Sequence, residues 1–498
     1  MSNVTFQAIA MIIYLVAMVM IGLFAYNRTK SLDDYMLGGR DLGPGVAALS
    51  AGAADMSGWL LMGLPGALYT TGLLSGWIAV GLTVGAWLNW KLTAPRLRAY
   101  SQIASNSITI PSFLGARLKD SSNFVRIVAG LVIVVFFTFY VSSGMVAGGS
   151  FFESSFGLDY RLGMVIIAAT TVLYTLVGGF LAVSWTDVVQ GLMMLIALVL
   201  VPLVGIRHVG GLSNLLAEVE RVDPRILSFT HGEGALSGAA ILGIVSALAW
   251  GLGYFGQPHI IVRFMALRST AEAKRGRRIG IGWMLLSVLG AGMTAIVGVA
   301  VYQHDEGRLA NPEGVFIALG QLLFHPFIAG FMLAAILAAI MSTISSQLLV
   351  TSSALVEDIY RAYSKRELSG ADGVLAGRIA VGAVSVIAAT LAWPRSDTIL
   401  SLVAFAWAGF GASFGPVVLL ALYWRSLSAK GAIAGMSVGA IVVGIWGSIS
   451  GGIFDLYEII PGFLANLAVT ILVSRLTFTP DPRIEDEFDL SVAQTRGI

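Results

Sequence analysis

The sequence predicts an all-α polytopic membrane protein with thirteen transmembrane helices, N-terminus outside and C-terminus inside. Three observations carry that expectation. Charged residues make up 12% of the 498 positions while 57% are hydrophobic, against roughly 25% charged in an average soluble domain. Thirteen apolar stretches are each long enough to cross a hydrocarbon core of about 30 Å. When those stretches alternate in direction, 24 of the 30 Lys and Arg fall on one side and 6 on the other, and positive charge marks the inner side. An even number of crossings would spoil the alternation. The same composition excludes other classes. Cysteine is absent, so disulfides and thiolate chemistry are ruled out. A net charge of +2 gives no case for nucleic-acid binding, and aromatics at 10% speak against disorder.

In chain order the stretches lie near 5–25, 45–72, 75–95, 125–152, 162–181, 186–206, 236–260, 279–302, 326–356, 376–393, 398–421, 430–449 and 454–474. The first lacks a basic leader and an A-x-A-like site and is expected to remain as a span rather than a cleaved signal. The longest outer loop, 207–235, and the acidic tail, 475–498, read as solvated segments without folds of their own. Most spans are plain Leu/Val/Ile/Ala helices that only need to pack.

Spans 2 and 7 differ. Span 2 carries small residues from Gly45 to Gly58 around a single carboxylate, Asp55. Span 7 gathers Gly251, Gly253, Gly256 and Pro258 between Trp250 and His259. Interior glycine weakens a helix by about 1 kcal/mol and proline by about 3. Backbone groups freed at membrane depth survive only where protein or a wet cavity satisfies them. The two spans lie five apart and so run in opposite directions, as a five-plus-five inverted repeat requires. Interrupted helices at matching positions of two halves point to the midplane site of a transporter. The plainer reading, small residues that merely allow close packing, accounts for either helix alone as well as a functional break does, but less well for the pair at matched positions.

A carboxylate at the bilayer centre costs about 2.5–3.5 kcal/mol, so Asp55 calls for a cation, a partner or a proton. No Lys or Arg falls in the middle of any predicted span, which favours a transported cation over a structural ion pair. Span 9 offers complementary chemistry in Ser342, Thr343, Ser345, Ser346 and Gln347. Positions 342, 345 and 346 share a helical face, and hydroxyl and carbonyl oxygens suit a hard cation. Two motifs are declined. Gly251 to Gly256 fits G-x-G-x-x-G but lies inside a span rather than after a strand. Gly411 to Gly415 fits G-x-S-x-G, again within a span and without a nearby histidine. His259 reads as a satisfied helix-end residue, and an enzyme is a poor class for this chain.

Four separated segments then resemble the sodium/solute symporter family: Ala53 to Trp59, Gly178 to Gln190, Gly253 to His259 and Trp424 to Gly435. The likeness extends over about residues 5–478. It implies a LeuT-like fold with spans 2–11 forming two inverted repeats, about 45–206 and about 236–421. The stretches 5–25, 430–449 and 454–474 are then peripheral. It also implies a sodium site built from the carbonyls of Ala53, Met56 and Ala339 with the hydroxyls of Ser342 and Thr343. Asp55 would lend negative potential, while Asp187, Ser345 and Ser346 resemble a possible second cation position. The family's proline branch implies Ser57, Gly58, Tyr140, Trp250, Tyr254 and Pro258 around the substrate. Ala54 departs from that branch, where a serine is expected, and so removes a hydroxyl. Arg40 resembles an inner-face residue of the same branch, and a membrane-edge anchor describes it equally well. The resemblance therefore implies sodium-coupled uptake of L-proline across a plasma membrane, with sodium, a small solute and lipid as partners. Another amino or carboxylic acid, proton coupling, and a sensor or channel are the alternatives.

Overall fold

The computed structural model describes residues 2–26, 37–230, 238–303, 308–364, 370–394 and 398–496. Helices dominate throughout. Among the described residues there is no strand, only an isolated bridge between Leu42 and Leu267. Arg28, Lys30, Lys365, Arg366 and Arg395, which contribute to the expected orientation, lie outside the described residues, as do positions 231–235 of the long loop.

Helix α1 spans Asn3–Tyr26, and α2, Pro44–Asp55, starts on a proline at its first turn, where a missing N–H costs nothing. A π turn, Trp59–Gly63, leads into α3, Leu64–Thr71. The chain reverses at Gly72, whose φ of +67° and contact with the Ile226 backbone exclude a side chain, and enters α4, Gly76–Ile103. Then follow α5, Ile110–Arg117, α6, Phe124–Phe156, and α7, Tyr160–His208. The last is two helices parted at Gly179, φ 63°.

The long loop holds α8, Leu212–Val222. Helices α9, Gly238–Ala249, and α10, Pro258–Met265, meet at a 46° bend through the 3-10 segment Trp250–Gly256. Next come α11, Ala273–Tyr302, the short α12, Val315–Leu323, and α13, Pro326–Ser353, extended by a π stretch Ala354–Tyr360. The remaining helices are α14, Gly370–Ala392, α15, Ile399–Tyr423, α16, Ala429–Trp446, α17, Ile459–Thr477, and α18, Pro482–Arg496.

Among the described residues ten helical segments are long and apolar enough to cross a membrane, eleven with the bent pair counted once. The difference from thirteen has a local cause. The predicted span 2 breaks after Asp55, and its second half is counted with α4 as one apolar stretch, Trp59–Ile103. The core lies around α13 and α15, whose most apolar windows are 83% and 78% buried, while that of α1 is 28% buried and faces outward.

The tail departs from expectation. Residues Pro482–Arg496 form a helix that seats Phe488, buried to 6% exposure, among the guanidinium groups of Arg96, Arg117 and Arg425. Lys119 pairs with Glu487 at 2.5 Å. The predicted inner-loop residue Arg263 also moves. It belongs to α10 and is 1% exposed, because the apolar helix continues past the proline as far as Met265.

Candidate functional site

Helix α2 ends at Asp55, and Met56, buried beside it, is already non-helical at φ −84°, ψ 80°. The Ser57 N–H, which a continuing helix would give to the Ala53 carbonyl, goes instead to the Asp55 carbonyl at 3.0 Å. The Trp59 indole donates to that same oxygen at 3.1 Å. Ala53 is thus left with a carbonyl free of its helical donor, and α13 meets it. Ser342 Oγ donates to Ala53 O at 2.8 Å and lies 3.1 Å from Ala339 O, and Thr343 Oγ1 is 3.5 Å from Ala53 O. Four of the five predicted sodium ligands therefore converge on one point, and the fifth, Met56, is the first residue past the break. All the oxygens are hydroxyl or carbonyl. Oxygens of these kinds suit a hard cation.

The second break faces the first. Tyr254, in the 3-10 segment, donates its phenol proton to Asp55 Oδ2, while Asp55 Oδ1 has no partner. Trp250 stacks on Tyr457, with centroids 5.4 Å apart, and on Trp407 at 6.5 Å. Trp407 donates to the Trp250 carbonyl at 2.8 Å and meets the Tyr254 ring edge-on at 5.0 Å. Its indole lies directly over Gly253, leaving no room for a Cβ there. Pro258 opens α10. Gly58 fits against Ala147 of α6, where a Cβ would approach to 2.9 Å, and Ser57 Oγ accepts from Trp59 N at 3.4 Å. Tyr140 stands on α6 two turns before Ala147. Its hydroxyl has no partner, and its ring meets His259 at 5.8 Å.

At the predicted second position Asp187 and Ser346 meet a guanidinium. Asp187 Oδ2 accepts from Ser50 Oγ at 2.7 Å and from Arg263 Nη2 at 3.2 Å. The same Nη2 reaches Ser346 Oγ at 2.7 Å, and Arg263 also donates to the His259 carbonyl. Ser345 Oγ turns back to the Ser342 carbonyl at 3.0 Å. A guanidinium thus joins Asp187 to Ser346 and ties α2, α7, α10 and α13 together. Arg40 donates to Asn106, Ser101, Ser107 and Met265, so it ties the segment before α2 to the ends of α4 and α10.

Residues that sequence reasoning passed over are Arg263, Trp407 and Tyr457, and it misjudged His259. Both ring nitrogens of His259 are buried without partners, which corrects the expectation of a satisfied helix end. The available signal was its place directly after Pro258, on the first turn of a half-helix.

Two interrupted helices, tied to each other by Asp55 and Tyr254 and facing a polar, unbroken α13, are the working parts of an ion-coupled secondary transporter set in a membrane. The pattern of the sodium:solute symporter family matches residues 35–439, and the chain belongs to that family. It is 57% identical over 473 residues to the high-affinity proline transporter PutP of Bacillus subtilis, covering 95% of this chain and 98% of that one. It is 48% identical to the sodium/proline symporter of Staphylococcus aureus, covering 96% and 94%. Its fold is shared with a sodium-coupled sialic acid symporter solved in a substrate-bound outward-open state, with a TM-score of 0.76 at 22% identity and coverage of 95% and 98%.

Proposed function

We propose that the chain imports L-proline into a bacterial cell across the plasma membrane, driven by one sodium ion bound between the break after α2 and helix α13. The observation that carries the reading is the Ala53 carbonyl, released from its helix and met by the hydroxyls of Ser342 and Thr343. A hydroxyl both donates and accepts. On sodium entry the Ser342 proton turns away from Ala53, and both oxygens then present lone pairs to the ion. The names and high identity of the proline-transporting relatives supply the substrate, and the site is chemically apt. The aromatic set of Trp250, Tyr254 and Tyr140 can cover a pyrrolidine ring and take its ammonium against a π face. The peptide N–H groups at the break suit the carboxylate.

In this reading the chain crosses thirteen times, N-terminus out, with residues 45–206 and 236–421 as inverted repeats rocking about the site. Sodium stabilises the outward-open arrangement, proline enters beside it, and both leave inward. Arg263 holds Asp187 and Ser346 together beneath the sodium position. The same geometry could serve another small amino or carboxylic acid, and Ala54 is the first residue to examine in that event. The deciding experiment is uptake of radiolabelled L-proline into proteoliposomes with an inward sodium gradient, repeated with choline. Saturable, sodium-requiring uptake is expected. Equal uptake in choline would move the coupling to protons, and no uptake in either would change the substrate.

A further inference from the structure

Gly81, Gly85 and Asn89 recur every fourth residue along α4 and so share one face. Opposite them stand the backbones of Leu248, Gly251 and Tyr254, which recur every third residue. A Cβ at Gly81 would lie 2.5 Å from the Leu248 carbonyl oxygen, and one at Gly85 would collide with the Gly251 carbonyl. At the third step the pattern changes from close approach to a bond. Asn89 Nδ2 donates to the Tyr254 carbonyl at 3.0 Å. Four residues of α-helix from Gly85 to Asn89 and three of 3-10 helix from Gly251 to Tyr254 each rise about 6 Å, so Asn89 meets the Tyr254 carbonyl only while Trp250–Gly256 keeps its 3-10 form. The glycines make a track, and the asparagine fixes where along it the broken helix stops.

The residue so held is the one whose phenol donates to Asp55. We propose that Asn89 is a positioning residue for coupled transport. By anchoring the Tyr254 carbonyl it sets the register of the 3-10 segment, and with it the placement of the Tyr254 phenol on Asp55 beside the sodium ligands. Asn89 Oδ1 and Asp55 Oδ1 both lack protein partners, and both residues line one cavity of about 20 Å³. That is room for a single water, which can donate to both oxygens and close the link from α4 to the break after α2. Asn89 thereby acts on both substrates without touching either. The proposal deepens the sodium-coupled proline reading and rests on it.

The test uses the full-length carrier in proteoliposomes. Asn89→Ala is expected to raise the half-saturating concentrations of both proline and sodium about fivefold to tenfold, the equivalent of one lost hydrogen bond. The maximal rate per folded carrier should change little. A purely structural asparagine would instead lower the folded yield and maximal rate and leave both half-saturation values alone. Because Asn89 acts chiefly through Tyr254, the same substitution made on Tyr254→Phe should add clearly less than it does in the wild type. Unchanged half-saturation, or effects that multiply in the double variant, would overturn the proposal. Should Asn89→Ala fail to fold, Asn89→Ser, too short to reach the carbonyl, replaces it in the same cycle. Sodium-dependent thermal stabilisation of the detergent-solubilised carrier is read in parallel. If the wild type gains stability from sodium but moves no proline, the substrate assignment fails while the sodium titration still decides the role of Asn89. A wild type indifferent to sodium would sink both.

Discussion

Ser342 lies on the point where the ion reading is most exposed to test. Its hydroxyl bridges the freed Ala53 carbonyl and the Ala339 carbonyl, and a bond to a charged partner is worth about 1.5–3 kcal/mol. Ser342→Ala should therefore raise the sodium concentration for half-maximal uptake by roughly 10-fold to 100-fold. Asp55→Asn should move it in the same direction by removing negative potential. A sodium titration of uptake indistinguishable from wild type in both variants would remove the site from α13. Arg263 calls for a different measurement, since it and Asp187 are both almost fully buried. Removing one partner of a buried pair leaves an uncompensated charge, at a cost of about 3–5 kcal/mol. Arg263→Ala should lower the thermal midpoint sharply, and adding Asp187→Asn should recover much of the loss; a midpoint unmoved by Arg263→Ala would mean the pair carries no weight. The contrast between these residues explains what was legible. Asp55 and Ser342 stand out as polar residues in apolar runs. Arg263 sits three residues beyond the predicted end of its span, and its partner is 76 positions away, a distance that no local pattern encodes.

Helix breaks are the elements the sequence announced most clearly, because glycine and proline leave a local mark on the backbone. The ends of α2 and α9 both fall where the small residues cluster. What covers a break is less legible. Trp407 reaches Gly253 from α15, and only the lack of a side chain at 253 hints that something bulky lies over it. Tail helix α18 was missed for another reason: its composition is polar, and its buried residues Ile484, Phe488 and Ser491 form too narrow a stripe to stand out. Phe488 is its anchor, with guanidinium carbons of Arg425, Arg117 and Arg96 at 5.4, 5.7 and 5.8 Å from its ring and Tyr100 edge-on at 6.2 Å. Cation–π contacts at partly exposed sites contribute about 0.5–1 kcal/mol each. Phe488→Ala should therefore release the helix from the body of the carrier. Limited proteolysis is expected to cleave within residues 482–496 in the variant well before wild type, at similar carrier stability. Equal cleavage rates would mean that the ion pairs Lys119–Glu487 and Arg425–Asp489 suffice to hold it.

At the scale of the whole molecule, the expected orientation and repeat symmetry rest on charge bias and on the spacing of the two breaks, whereas coupling depends on how the breaks meet. Asp55 accepts from Tyr254, its neighbour Ala53 receives Ser342, and Arg263 ties Ser50 of α2 to Ser346 of α13. Any movement of α2 is thus felt by the sodium ligands and by the aromatic pocket together. Sodium and proline consequently share one free energy of interaction, and linkage makes it reciprocal. The factor by which saturating sodium tightens proline must equal the factor by which saturating proline tightens sodium, within a range of about 5-fold to 150-fold. Equilibrium binding of labelled proline across a sodium series gives the first ratio; a sodium titration of thermal stability, with and without proline, gives the second. Equal ratios are expected for one ion bridging α2 and α13. A dependence of proline affinity on the square of sodium concentration would instead require a second ion. Breaking the link at Tyr254→Phe should shrink both ratios together, because the coupling energy belongs to the contact and not to either ligand.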